Sequence, residues 1–232
     1  MKNVKQKLVA SAALFTAIAG FSATSAQAEA VVAATVGASN MYYWRGLDLG
    51  GGAAVIGDVN VSASGFIAGI WTSSGDSAAD GLGGTEYDLY AGYSGAAGDF
   101  TYGVSVVSYI YPTLGANEVK PGEYVEVIPT VGYGPFKLTY YDAVVADHAP
   151  LGDKTYNYIT AELNFEKFGI KYGMHAQDYA GNDTLDGVSH IDVTYKYNSK
   201  LSFTVGSLLE ANDFDYQDKP VNFVVSLSLP IE

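Results

Sequence analysis

Apolar and polar side chains alternate along most of this chain with a period of two. From residue 190 to 197 one face reads Ile191, Val193, Tyr195 and Tyr197, and the other His190, Asp192, Thr194 and Lys196. Phe136, Leu138 and Tyr140 oppose Lys137, Thr139 and Tyr141, and Ile170, Tyr172, Met174 and Ala176 oppose Lys171, Gly173, His175 and Gln177. Successive side chains of a strand point to opposite sides, so the pattern predicts β-strands with one apolar and one polar face. No sustained helical spacing competes with it. Beyond residue 28 no apolar run reaches the roughly 18 residues that a membrane-crossing helix needs.

Turn signals divide these segments evenly. Short turns fall at Ser62-Ala63-Ser64-Gly65, Gly95-Ala96-Ala97-Gly98-Asp99, Gly132-Tyr133-Gly134-Pro135, Glu166-Lys167-Phe168-Gly169 and Asn198-Ser199-Lys200. Longer polar stretches alternate with them, at 46–52, 73–84, 112–122, 147–153, 178–187 and 212–220. Five turns and six loops separate twelve strands, read at 31–45, 53–62, 66–73, 85–94, 100–111, 123–132, 136–146, 154–165, 169–177, 188–197, 201–211 and 221–230. Most have the roughly 9–11 residues with which a tilted strand crosses a bilayer. A soluble β-sandwich shares the periodicity. A closed antiparallel up-and-down transmembrane barrel accounts better for twelve segments in one meander with no crossover-length gap, short turns at one end and long loops at the other.

Composition sharpens this picture. The chain holds 19 Tyr and 27 Gly and no Cys, so disulfides, zinc thiolates and a cysteine nucleophile are excluded. Aromatic residues gather at segment ends (Tyr42, Tyr43 and Trp44; Trp71; Tyr109 and Tyr111; Tyr133; Tyr140; Tyr195 and Tyr197), as the interfacial girdles of a barrel would. Residues 1–28 begin with Lys2, Lys5 and Lys7, continue through the apolar run 8–21 and end on Ser25-Ala26-Gln27-Ala28. A basic head, a short apolar core and a small-x-small end are those of a secretory signal peptide, which makes 29–232 the exported domain.

Of 232 residues, 204 remain without that segment; of 12 basic residues, 9 remain, against 25 acidic ones, a net charge of −16. This excludes nucleic acid as a partner, because phosphate binding requires a basic face. The acids crowd the longer loops, among them Asp76, Asp80, Glu118, Glu123, Asp147, Asp153, Asp178, Asp183, Asp186 and Glu210. Asp213, Asp215 and Asp218 form an external acidic vestibule. With polar faces inward, the lumen-lining candidates are Asp58, Asp88, Glu126, Glu162 and Asp192, with Lys137, Lys171, Lys196, Arg45, His175 and His190. Both signs of charge are present, so they either line a wet constriction or pair to plug it.

Arg45 is the only arginine; its fork either grips an anionic group or pairs with a neighbouring acidic side chain or a loop carbonyl. Three chemical alternatives are weaker. Asp147-His148 with Asp153 has the makings of a general base but no nucleophile in a distinctive setting. His175 and His190 on neighbouring strands could share a metal, and Asp213-Phe214-Asp215 with Asp218 could take Ca²⁺, yet hydrogen-bonded histidines and solvated loop acids explain both.

Two stretches carry a resemblance. Ser39-Asn40-Met41-Tyr42-Tyr43-Trp44-Arg45-Gly46-Leu47 resembles the S-D-Y-x-[FW]-R-G-[IL] opening of the TorF-type porin-like family, Gcw_chp. Glu86-Tyr87-Asp88-Leu89-Tyr90-Ala91-Gly92-Tyr93-Ser94-Gly95 is similar to its E-x-D-L-Y-x-G-Y-x-G segment. Trp71-Thr72-Ser73 and Tyr109-Ile110-Tyr111-Pro112 follow at similar places. Asn40 stands where Asp is usual, and the chain ends Leu229-Pro230-Ile231-Glu232 rather than on an aromatic residue. The resemblance implies an outer-membrane barrel that conducts solutes.

The expectation is therefore a monomeric, all-β, twelve-stranded barrel in the outer membrane of a Gram-negative bacterium. It would act as a weakly cation-preferring passive channel for small hydrophilic solutes or ions, with no catalytic residue and no cofactor or metal. Its partners would be outer-membrane lipid and, in transit, periplasmic chaperones and the barrel-assembly machinery. A plugged barrel with a structural or interaction role is the alternative, and an outer-membrane hydrolase the remaining one.

Overall fold

The computed structural model describes residues 29–49, 52–75, 84–113, 118–146, 156–177, 185–211 and 221–231. It is all-β. Strands β1 (Val31–Ser39), β4 (Ala54–Ala63), β5 (Phe66–Ser73), β6 (Glu86–Ala97), β7 (Phe100–Ile110), β8 (Tyr124–Tyr133), β9 (Phe136–Ala146), β10 (Tyr156–Asn164), β11 (Phe168–Gln177), β12 (Ser189–Lys196), β13 (Leu201–Glu210) and β14 (Val221–Pro230) form the wall. The remaining two, β2 (Tyr43–Trp44) and β3 (Leu47–Asp48), pair only with each other.

Each wall strand pairs antiparallel with its neighbours in sequence, and β1 closes the barrel by pairing with both β4 and β14. Closure gives every wall strand a hydrogen-bonded neighbour on both sides. The tight turns lie at one end. Ser64 and Gly65, both at positive φ, make the β4–β5 turn with the twist that a two-residue hairpin favours.

The alternation resolves into two faces. Outward stand Val55, Val59 and Val61 on β4, Phe100, Tyr102, Val104 and Val106 on β7, Ile191 and Val193 on β12, and similar residues around the wall. A soluble barrel would hide such a continuous apolar surface. At the short-turn end Phe66, Phe100, Tyr133, Phe136, Phe165, Phe168 and Tyr197 form an exposed aromatic ring around the outside. Of the aromatics expected in girdles, Tyr133, Tyr140 and Tyr197 are exposed and Tyr195 pairs with the outward Phe168. Tyr42, Tyr43, Trp44, Trp71, Tyr109 and Tyr111 instead turn inward, onto lumen carboxylates, beside wall positions that carry them or, for Trp44, onto the Arg45 guanidinium and the rings of Tyr156 and His175.

The first strand is also shorter than the pattern suggested: β1 stops at Ser39 rather than running to residue 45. The amide of Asn40 explains the break. It donates to the Phe223 carbonyl at 2.9 Å and accepts from the Val225 N–H at 2.7 Å, beside the bond of the Asn40 N–H to the Val225 carbonyl at 3.2 Å, so a side chain extends the pairing with β14 past the last backbone bond. The main chain is released to turn into the barrel. An Asp at this place would accept but could not donate. Residues 1–28 and the loop acids Asp76, Asp80, Asp147, Asp153, Asp178, Asp183, Asp213, Asp215 and Asp218 lie outside the described residues, as does His148.

The hydrophobic core sits inside the long-loop half of the barrel, not outside it. Leu47 of the inner hairpin lies in one cluster with Val107, Tyr109, Ile128, Tyr141, Tyr156 and Leu208 of the wall, which Val119, Leu185 and Val188 from two of the longer loops join. That half of the lumen is therefore filled by side chains.

Candidate functional site

The feature that fills it is a two-residue β-turn. Tyr43 pairs with Asp48 and Trp44 with Leu47, and the Leu49 N–H closes the base on the Tyr42 carbonyl at 3.0 Å. Arg45 at φ +47° and Gly46 at φ +91° occupy the tip, the positive-φ pair of a type I′ turn. Glycine is required at the second place twice over. A Cβ on Gly46 would lie 2.5 Å from Cγ of His190, besides the strain of the conformation. Gly46→Ala should thus destabilise the seated hairpin by about 1–3 kcal/mol, read as a lowered unfolding temperature with the barrel's strand content unchanged.

Arg45 holds a left-handed conformation that costs a non-glycine residue energy, and its side chain supplies the compensation. Nη1 and Nη2 donate to Oε1 and Oε2 of Glu126 at 2.9 and 2.6 Å, a two-point fork between side chains 5 % and 0 % exposed. Tyr109 and Tyr124 also donate to Glu126, at 2.7 and 3.1 Å. The guanidinium carbon lies 4.7 Å from the Trp44 ring and 4.5, 5.3 and 4.9 Å from the rings of Tyr141, Tyr156 and Tyr158, so it sits in an aromatic cage. Burial opposes its charge, but the Glu126 carboxylate outweighs that and pushes the guanidinium's pKa up.

Further bonds fix the hairpin. Tyr43 donates to Asp192 at 2.7 Å, and Tyr42 donates to Glu86, which also accepts from Tyr111 at 2.8 Å. Burial first, and then the Glu86 carboxylate, push the Tyr42 phenol up, so it remains a donor. His175 Nε2 lies 2.8 Å from the Arg45 carbonyl, with Nδ1 bonded to Tyr156 at 2.8 Å. The carbonyl can only accept, which fixes the proton on Nε2. His190 bonds Asp192 at 3.0 Å and Tyr158 at 2.7 Å and stacks on Tyr158 with the planes 3° apart.

The wall is shaped for this contact. Among the described residues its pairing slips at two places, between Val125 and Glu126 opposite β9 and between Ser189 and His190 opposite β13. Each irregularity adjoins a residue that holds the hairpin. A bulge inserts a residue and re-aims its neighbours, which is how strands of fixed pleat can turn Glu126 and His190 onto one target.

Toward the short turns the lumen changes character. Its inner face carries Thr35, Asp58, Asn60, Thr130, Thr139, Thr194, Thr204 and Ser202. Asp58 is held by Asn60 at 2.6 Å and Tyr90 at 2.9 Å, and Lys137 pairs with Glu162 at 3.0 Å. Lys171 stands between Glu162 and Asp192 in the cross-strand register, and Lys196 ends β12 at the short-turn mouth. Asp88 lies deeper, 2 % exposed, with Oδ1 unbonded. All eleven lumen candidates thus point inward, but at two levels. Arg45, Glu126, His175, His190 and Asp192 meet at the hairpin with Asp88 close by, while Asp58, Lys137, Glu162, Lys171 and Lys196 line the polar half. The two histidine rings lie 6.5 Å apart and each uses both nitrogens, and among the described residues no three metal-ligating side chains are placed to hold an ion.

The residues sequence reasoning missed as site residues are Glu86 and the aromatics Tyr42, Tyr43, Trp44, Tyr109, Tyr111, Tyr124, Tyr141, Tyr156 and Tyr158. The signal was available in part, because Tyr124, Tyr141, Tyr156 and Tyr158 fall on the polar parity of their strands.

A family model described as "Bacterial protein of unknown function (Gcw_chp)" matches residues 23–204. No curated protein matches the chain.

Proposed function

The chain belongs to the Gcw_chp family of bacterial proteins, and from that footing we propose that it is a gated, porin-like channel of the Gram-negative outer membrane. Residues 1–28 serve as the export signal. Small hydrophilic solutes or ions pass through a lumen that the 43–48 hairpin closes on the external side. The outward apolar wall, its aromatic ring and the asymmetry of short turns against long loops support the location. One observation carries the gating: the hairpin fills the centre of the long-loop half of the lumen, beside Val119, Leu185 and Val188, and it is attached through side-chain contacts rather than through the wall's backbone pairing. The reading needs no catalytic residue, metal or cofactor. Lipid and, during assembly, periplasmic chaperones and the barrel-assembly machinery are the macromolecular partners of a monomer.

The density of bonds on the hairpin favours a second reading, a permanently plugged structural or interaction barrel. Planar-bilayer recording separates the two. Ser39 and Ala54 are paired across the wall, so residues 41–52 can be replaced by a short Gly-Ser turn without disturbing it. The channel reading expects brief, rare openings from the native protein and a sustained conductance from the shortened one. A shortened barrel that is folded, heat-modifiable and silent would establish the plugged form.

Selectivity gives a further expectation. Arg45 is neutralised by Glu126, so it does not act as a free positive filter, and the sequence's acidic residues outnumber its basic ones, 25 to 12. Cation preference should be weak at low ionic strength and fade toward 1 M salt, where the Debye length falls to roughly 3 Å. Neutralising Asp213, Asp215 and Asp218 together should reduce it without abolishing conductance. Reversal potentials across a salt gradient measure both; an anion preference in the native protein would contradict the account.

A further inference from the structure

We propose that the pocket holding the Arg45 guanidinium is a binding site for guanidinium-bearing organic cations, and that Arg45 is its built-in occupant. The wall supplies the whole receptor except one ring: a fully buried carboxylate, Glu126, presenting both oxygens, and the faces of Tyr141, Tyr156 and Tyr158 within 4.5 to 5.3 Å of the cation. Two phenols, Tyr109 and Tyr124, fix the carboxylate's direction from behind. A planar fork fits two carboxylate oxygens and stacks on rings; a compact ammonium does neither as well.

The site belongs to the wall, and Arg45 enters it from a loop. A tethered occupant enjoys a high effective concentration, so the native seat is filled by default. A free guanidinium solute that takes the place of Arg45 removes the hairpin's strongest contact. The arrangement is thus a tethered mimic of the solute closing its own passage. In this last respect, that the displaced hairpin opens a path, the inference rests on the channel reading; the binding site itself does not.

The experiment uses Arg45→Ala protein folded in detergent, with guanidinium and methylguanidinium as probes and urea, ammonium and potassium as comparisons. Below about 50 mM, where guanidinium does not denature, it should raise the unfolding temperature of the variant by about 2–5 °C. Half-saturation should fall at roughly 1–10 mM, the range of one bidentate ion pair with a few cation–π contacts. The native protein, its seat occupied, should not respond, and adding Glu126→Gln to the variant should remove the effect. Equal shifts from ammonium or potassium, or a guanidinium shift that survives Glu126→Gln, would overturn the assignment. Should Arg45→Ala not fold, the barrel with residues 41–52 replaced keeps the wall part of the seat intact and takes the same titration. Bilayer recording of these variants reads the other hypothesis. Guanidinium-specific binding without conductance defeats the channel and leaves the site, whereas conductance without guanidinium-specific binding defeats the site and leaves the channel.

Discussion

Replacing Arg45 with alanine is expected to turn a mostly closed barrel into a conducting one. Arg45 makes a buried ion pair between the hairpin and the wall, with side-chain exposures of 5 % and 0 %. Removing one partner of such a buried pair costs about 3–5 kcal/mol, because the other charge is left without its counterion. Here the penalty has an outlet. If the hairpin leaves, water reaches Glu126 and the penalty disappears, so the cost appears as a shift from seated to released hairpin. A change of about 3 kcal/mol shifts that equilibrium more than a hundredfold at 1.4 kcal/mol per tenfold. The Tyr43–Asp192, Tyr42–Glu86 and His175–Arg45 carbonyl contacts remain, and the last uses a backbone atom that alanine keeps. They reduce the shift without cancelling it. Single-channel recording should therefore show open probability rising at least tenfold. An unchanged closed state in a folded barrel would mean that the remaining packing, not the ion pair, seats the hairpin.

The second large effect lies in the wall. Val193, 45 % exposed, stands outward at the middle of β12, aligned with Ile170 and Val205 on the neighbouring strands. An arginine there would place a charge at mid-depth against hydrocarbon, at a cost of about 2–4 kcal/mol. Val193→Arg should block assembly into membranes. Thr194 faces the lumen and bonds Thr204 at 2.8 Å, in the half where the interior is polar. Thr194→Arg should assemble and alter only permeation, because its guanidinium can reach water and the lumen acids. Heat-modifiable mobility after refolding into lipid vesicles reports the difference. Equal damage from the two substitutions would show that the outward face does not meet lipid.

The strands were legible because barrel pairing is a local and repetitive constraint. A residue's face follows from its parity alone, so Ile191, Val193, Lys171 and Asp192 could be assigned to sides without any knowledge of neighbours. The turns were legible for a related reason. Ser64-Gly65 and Gly134-Pro135 lie in short turns that reverse the chain within a few residues. Parity failed where the chain leaves the wall. Residues 40–48 continue the apolar and aromatic run of β1, and nothing in them states that the Asn40 side chain would make the last bonds to β14. The same failure misassigned Tyr42, Tyr43 and Trp44 to a girdle, because an amphipathic ring suits a lipid interface and a crowded lumen equally well.

What the amino-acid sequence determined by itself is the wall: an all-β chain of twelve paired segments, which side of each strand is apolar, which end carries short turns, and an excess of negative charge. Period and composition specify these, and both are properties of neighbouring residues. What only the tertiary structure decided is the content of the lumen. Arg45 and Glu126 are separated by 81 positions, Tyr43 and Asp192 by 149, and Arg45 and His175 by 130. Those meetings depend on barrel closure, on two irregularities in strand pairing and on a side-chain amide that releases the first strand. Nothing local encodes such distances. The same list of inward charges is compatible with a wet pore or a filled one, and the choice between them is made by where one hairpin goes.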